Sequence, residues 1–325
     1  MRSSLVVLLV LAGCDSAPYH SQIGEIEGPD SIAEPAAHGQ SHWRTSHVGS
    51  ATLRAVTCAG DSALAVGDRG TVVRLAPSGE ATVEAPLSID LHALAVGPHG
   101  AIVGGAGALF ERRGLGAWKR TALPREKAHV RSIAVVGEDS LVVGGLLESP
   151  AGSVGWAAER SADAWTERRL ELAPAVFQVL RTRSGKVLLV LDSTPLLWSH
   201  RDLLVQLLPA QDVHPRILAM DETPRGFVAV GIDTAWTIEN GRLIRELRQL
   251  QMRLTGVAAA PPSGAVAVGR ASPPGGRPGG VAWYREPGGA WRRELLVPDE
   301  LLIAVARCGP RVIAVGERGL VAIRE

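Results

Sequence analysis

Few side chains in this sequence stand in patterns that could do chemistry. His38, His42 and His47 lie close together, and on a helix the first two would share a face suited to a metal ion. Gly39 interrupts that helix and no cysteine or aspartate follows at a ligand spacing, so no metal site is expected. Gly104, Gly105 and Gly107 are followed by ALFERR, which reads as a strand turn without the rest of a dinucleotide fingerprint, and no cofactor is expected. The HExxH, CxxC, Walker and GxSxG patterns do not occur. Ser184–Gly185–Lys186 is a hairpin turn before it is a nucleophile and its base. What remains are Cys14, Cys58 and Cys308, and the charged residues of long connections. Both need the elements around them.

The chain has 325 residues, 46% hydrophobic and only 4% aromatic, enough for one large core or two ordinary domains. Its 34 basic and 33 acidic side chains leave a formal charge of +1. That balance argues against wholesale disorder and gives no reason to expect a nucleic-acid partner. The 37 glycines and 21 prolines lack the every-third-residue period of collagen and therefore mark turns.

At the N-terminus, MRSSLVVLLVLAGC places one charge, Arg2, before an apolar run from Leu5 to Leu11. As a helix this run and the small residues after it span roughly 14 Å, about half a bilayer, so it reads as an export signal and not as a membrane span. The run of Leu11, Ala12, Gly13 and Cys14 resembles the lipobox of bacterial lipoproteins. The resemblance implies cleavage after residue 13, a diacylglycerol on the Cys14 sulfur and acylation of the new amino terminus, palmitate being the usual chain. A plain export signal with a chance cysteine, or a buried apolar strand, is the alternative. Residues 14–41 carry no strand or helix period and read as a lipidated flexible tether. Asp15 resembles the inner-membrane retention signal of enteric bacteria, and the choice between inner and outer membrane stays open.

From residue 42 onward one pattern returns: an apolar strand, a short turn, a small-residue strand ending in valine–glycine, a third strand, and often a tryptophan opening a fourth. The copies begin at Leu53, Leu91, Val130, Val176, Arg216, Leu254 and Leu301, spaced 38 to 47 residues apart. Glycines 67, 105, 144, 231, 269 and 316 end the second strands, and the fourth copy has Leu191 there. Four short strands per unit of about 40 residues is the period of a β-propeller blade. The last unit, from Leu301, has only three strands, and HWRTSHVG at 42–49 matches the fourth-strand openings at Trp118, Trp165 and Trp291. The expected fold is therefore all-β, a seven-bladed β-propeller over 42–325 with the N-terminal strand closing the last blade. The stretch 242–254 spaces its leucines like an amphipathic helix, but the repeat asks for a strand at 242–247 and then a loop.

The repeats resemble seven-bladed propellers of the WD40-like, YVTN-like and Ycf48-like groups. AVGDRG at 65–70 and AVGERG at 314–319 are similar to the turns of Ycf48-like proteins, a family associated with assembly of membrane complexes. The Gly-His and Trp-Asp pairs of WD40 repeats and the Asp-box of sialidase-type propellers are absent. With Tyr19 in the tether and Tyr284 in a third strand, the arginine, tyrosine and acid cluster of sialidase-like hydrolysis is not expected either.

Ring closure would make Cys58 and Cys308 neighbours, and in an oxidising compartment a disulfide could join them. They are one position out of register, so two buried thiols are the alternative. Propeller sites lie at one mouth of the central channel, and the insertions 146–155 and 270–280 both join a second strand to a third, on that face. Interblade loops 124–129, 209–215 and 298–300 share it. Candidate partner-binding residues are Arg125, Lys127, His129, Glu148, Asp212, His214, Arg277 and Asp299. Their mixed charges suit a protein. Trp156 and Trp283, just after the insertions, read as blade packing. The expected function is a non-catalytic, lipid-anchored propeller in the bacterial cell envelope, binding or assembling an envelope protein or complex. A carbohydrate-active or lyase-type enzyme acting at one channel mouth is the alternative, with a glycan as ligand.

Overall fold

The computed structural model describes residues 42–325, apart from 171–172, 192–194, 199–204, 207–215, 241, 261–263 and 273–276. The signal segment and tether expected over 1–41 lie outside the described residues. Strand β1 (Trp43–His47) comes first. β2 (Leu53–Ala59), β3 (Ser62–Gly67), β4 (Val72–Leu75) and β5 (Ala81–Val83) form a four-stranded antiparallel sheet. β6 (Leu91–Gly97), β7 (Gly100–Gly105), β8 (Ala108–Arg112) and β9 (Lys119–Ala122) form the next. β10 (Ala128–Val135), β11 (Ser140–Ser149), β12 (Gly152–Ser161) and β13 (Ala164–Leu170) follow. Then come β14 (Val176–Arg181), β15 (Val187–Leu191), β16 (Pro195–Trp198) and β17 (Val205–Gln206).

β18 (Ile217–Thr223), β19 (Gly226–Glu239), β20 (Arg242–Ala260), β21 (Gly264–Ala271), β22 (Gly279–Arg285) and β23 (Trp291–Pro298) share one sheet of six strands. β24 (Leu302–Cys308), β25 (Arg311–Gly316) and β26 (Leu320–Arg324) make the last sheet. There β1 pairs with β26 from Trp43↔Arg324 to His47↔Leu320.

This corrects the expectation of a seven-bladed ring. The hydrogen bonds define a β-propeller of five discrete four-stranded blades, and one six-stranded sheet stands over residues 217–298. The cause is local. The direction changes are made inside continuous strands by Asp233 (φ 59) and Gln251 (φ 62), not at a glycine or proline. The Asp233 carboxylate accepts the backbone N–H of Met252 at 2.9 Å, so the two long strands stay tied where the chain turns. Residues 242–260 are accordingly one strand, and the loop expected after 247 is not formed. The sheet folds on itself, with Val228 and Val230 packed against Ala265 and Ala267.

The valine–glycine repeat has a packing cause. Each axial strand skips one residue in its pairing with the next strand, so Leu53 pairs with Gly67 while the next pair is Ala55↔Val66. The same step recurs at Leu91/Ala93, Val130/Ser132, Val176/Gln178, Ile217/Ala219, Leu254/Gly256 and Leu302/Ala304. A Cβ on Gly67 would overlap the carbonyl of Thr52, and one on Gly316 that of Leu301. In the third unit the equivalent residue is Gly145, paired with Val130 and facing the carbonyl of His129, and not Gly144.

The strands β2, β6, β10, β14, β18, β20 and β24 neighbour one another in that order and return to β2, so they surround the axis. The core lies between adjacent sheets, as period-two alternation requires: Ala65 and Val73 face Ile313 and Val315, while Val66 and Val72 face Leu91 and Val103. Outer junctions reuse one clasp. Glu84 accepts from Arg112 and from Trp118 Nε1 (3.4 Å), Glu246 from Arg285 and from Trp291 Nε1 (3.1 Å), and Glu294 from Arg324 (2.7 Å) and from Trp43 Nε1 (3.2 Å).

Candidate functional site

The irregularity in each axial strand re-aims one side chain, as β-bulges do. On three consecutive strands the residue there is Arg54, His92 and Arg131; farther round the ring it is Phe177, Thr255 and Ile303. Arg253 precedes the bulge of β20 by two residues. Arg54 is held by the Asp68 carboxylate, with Nη2 to Oδ2 at 3.0 Å. The Arg131 guanidinium lies 5.7 Å from the centre of the Phe177 ring.

These side chains converge. Burial first, then the charges of Arg54 and Arg131 on either side, hold His92 below its ordinary value even though Asp68 and Asp90 oppose them. Burial, then the charges of Arg253 and Arg54, lower Arg131. Arg253 stands on β20, across the axis from β10, near enough for its charge to act on Arg131. Arg131 is exposed to solvent and yet surrounded by protein, as a side chain in a concave mouth is. Among the described residues no carboxylate pairs with Arg131 or Arg253.

At the same end of the axial strands, the insertion 146–155 is a continuation of the sheet and not a free loop. Leu146↔Gly155 through Ser149↔Gly152 pair β11 with β12, while Ala128 and His129 of β10 pair with Leu147 and Leu146. The extended hairpin and residues 124–127 enclose a cleft of ≈ 410 Å³ lined by Arg125, Lys127, Leu147, Glu148, Val154 and Arg169, among others. His129 Nε2 lies 3.4 Å from Glu148 Oε1. Arg125 donates to Glu167 at 2.9 and 3.1 Å, and this bond raises the Arg125 pKa and lowers that of Glu167. Across the ring, Arg277 pairs with Asp299 at 3.4 Å and the N–H of Asp299 donates to the carbonyl of Pro278. The structure thus brings Arg125, Lys127, His129 and Glu148 together and makes a separate pair of Arg277 and Asp299. Asp212 and His214 lie outside the described residues. Trp156 and Trp283 are buried.

A second groove, of ≈ 1000 Å³, is on the opposite face, between the sheets β6–β9 and β10–β13. Its rim carries His99, with Nε2 4.0 Å from both Glu138 and Asp139, and its wall includes the Arg160–Glu111 ion pair. Neither this groove nor the axial cluster is evident from linear spacing. The signal for the axial cluster was a polar residue after the opening leucine or valine of units one to three, in LRAV, LHAL and VRSI. Among the described residues no group of three or more His, Cys, Asp or Glu side chains is placed to hold a metal ion.

No protein family matches the chain, and no curated protein does. Solved structures do. A structure of YCF48 bound to D1 peptide superposes with a TM-score of 0.69 at 15% identity, covering 90% of this chain and 98% of that one. Virginiamycin B lyase from Staphylococcus aureus gives 0.68 at 9% identity, over 86% and 98%. The WD40 β-propeller domain of Doa1 gives 0.65 at 14%, over 86% and 94%. Identities this low establish the β-propeller fold, which serves a peptide-bound protein and a lyase alike.

Proposed function

We propose that this chain is a non-catalytic scaffold, held in the bacterial cell envelope by a lipid on Cys14, that binds an envelope protein on the face carrying the β11–β12 hairpin. The observation that carries the reading is the hairpin itself. Four extra residue pairs lift it beyond its sheet on paired backbone, beside a cleft that mixes Leu147 and Val154 with Arg125, Lys127 and Glu148. A preordered strand pair loses little entropy on binding, and an apolar floor with a charged rim suits a protein surface better than a polyanion. A propeller of this fold solved with a peptide bound is consistent with that use.

The test is affinity purification from the native envelope through a C-terminal tag. The expected result is stoichiometric recovery of one envelope protein or complex, lost when residues 147–154 are replaced by a two-residue turn. A Cys14→Ala variant is expected in the soluble fraction, since the acyl chains supply the membrane affinity. Recovery of the lipidated protein alone sinks the scaffold reading and directs attention to glycans and to an enzyme acting at a channel mouth.

A further inference from the structure

We infer that the axial mouth, with Arg54, His92 and Arg131 on consecutive strands, Phe177 beside Arg131, and Arg253 and Ile303 farther round, binds a peptide segment that presents a carboxylate beside an apolar side chain. This deepens the scaffold reading, from which it takes a protein as the partner. Arg54 is already satisfied by Asp68, and His92, depressed by burial and its cationic neighbours, is neutral near pH 7. Among the described residues no carboxylate pairs with Arg131 or Arg253, and the charge of Arg253 acts on Arg131 from the strand across the axis. A guanidinium pair in a concave site is matched by a planar carboxylate, which takes two parallel N–H bonds from one fork and leaves oxygen lone pairs for the other.

Carboxylate alone leaves the rest of the rim unused. Phe177 and Ile303 are half-buried there, with Thr255 between the sheets and its hydroxyl already donated to the carbonyl of Ile303 at 2.8 Å. An apolar side chain next to the carboxylate covers Phe177 and leaves Arg131 stacked on the ring, where desolvation strengthens the cation–π contact. A polyphosphate has nothing to place against that surface.

The assay is fluorescence anisotropy on the full lipidated chain in detergent, with three labelled probes. One peptide ends in two leucines with a free terminal carboxylate. The second is the same peptide with a terminal amide. The third is amidated but carries a glutamate before the leucines. Binding of the first or third with no binding of the neutral amide is expected, and the one that binds tells whether the carboxylate is terminal or a side chain. Arg131→Gln and Arg253→Gln are each expected to weaken that binding about tenfold, and Phe177→Ala to weaken it with the carboxylate preference retained. Equal affinity for the neutral amide, no binding of any probe, or an unchanged Kd in Arg131→Gln overturns the inference. The hairpin-shortened protein separates the two readings. Loss of the envelope partner with peptide binding intact counts against the hairpin face alone, and partner capture without a carboxylate preference counts against the mouth alone.

Discussion

At the scale of single residues, the glycines that end the second strands are fixed by close approach. Their Cα atoms face the carbonyl that precedes each axial strand, and the bulge next to it leaves no room for a methyl group. The same bulge aims the residue that lines the mouth, so packing and site share one backbone feature. Gly67→Ala and Gly316→Ala are each expected to cost about 1–3 kcal/mol, the range for overpacking a closed site. Gly137→Ala, in a turn where the added atom meets only the Ser140 side chain at ordinary distance, is expected to stay within about 0.5 kcal/mol of wild type. Urea unfolding midpoints check both. Equal stability of all three variants would mean that these carbonyls move aside and that the glycines have another cause. The repeated glycine was legible in the sequence. Its partner was not, because the carbonyl it faces belongs to a residue about 15 positions earlier.

At the scale of elements, sheets are joined on the outside by carboxylates reached from the next outer strand. Arg112 is 5% exposed and Glu84 18%, so removing the acid strands a buried guanidinium. Glu84→Gln is expected to lower stability by about 3 kcal/mol near neutral pH. Burial alone would raise the Glu84 carboxyl, but hydrogen bonds from Arg112 and Arg74 outweigh it and hold it below its ordinary value. Glu294 is likewise depressed against burial by Arg324 and Trp43. Groups depressed in the folded state contribute stability that is present above their unfolded pKa, about 4.3, and lost as pH falls through the folded values. The wild-type unfolding midpoint should therefore drop steeply below about pH 4.5, and the drop should be shallower in Glu84→Gln and Glu294→Gln. Parallel pH profiles for all three proteins would remove the clasp from the account of acid stability. The tryptophans that open the fourth strands were visible as a motif. The glutamate each one meets was not, since Glu84 precedes Trp118 by 34 residues and Glu294 follows Trp43 by 251. The six-stranded sheet was hidden for a related reason: Asp233 and Gln251 take left-handed conformations that the sequence would have assigned to glycine.

At the scale of the whole molecule, the period of about 40 residues made the propeller class legible, but the number of discrete blades and the mouth were not. Arg54, His92 and Arg131 come together only because the ring closes, and a closed ring must satisfy the free edges of its axial strands. Side chains do this at successive junctions. Ser132 accepts from the N–H of Val179 (2.9 Å), and the Gln178 amide pairs with both backbone groups of Met220 (2.7 and 2.9 Å). Asp221 accepts the N–H of Ala259 (2.7 Å), and Thr255 donates to Ile303. Between β24 and β2 the link is covalent: Cys58 and Cys308 form a disulfide, 250 residues apart in sequence. That junction joins the last sheet to the first, which are otherwise tied by the pairing of β1 with β26 and the short connection from β1 to β2. Constraining so long a loop in the unfolded chain gives a stabilisation of about 3–5 kcal/mol. Reduction, or Cys58→Ser with Cys308→Ser, is therefore expected to lower the unfolding free energy by that amount. Amide exchange should quicken first in Leu53–Ala59 and Leu302–Cys308, while β14 and β15 keep their protection. The carboxylate peptide should also bind more weakly to the reduced protein, because Arg54 and Ile303 flank the opened junction. Exchange that quickens evenly around the ring would show that the disulfide acts on the unfolded chain alone and that the mouth is held by packing.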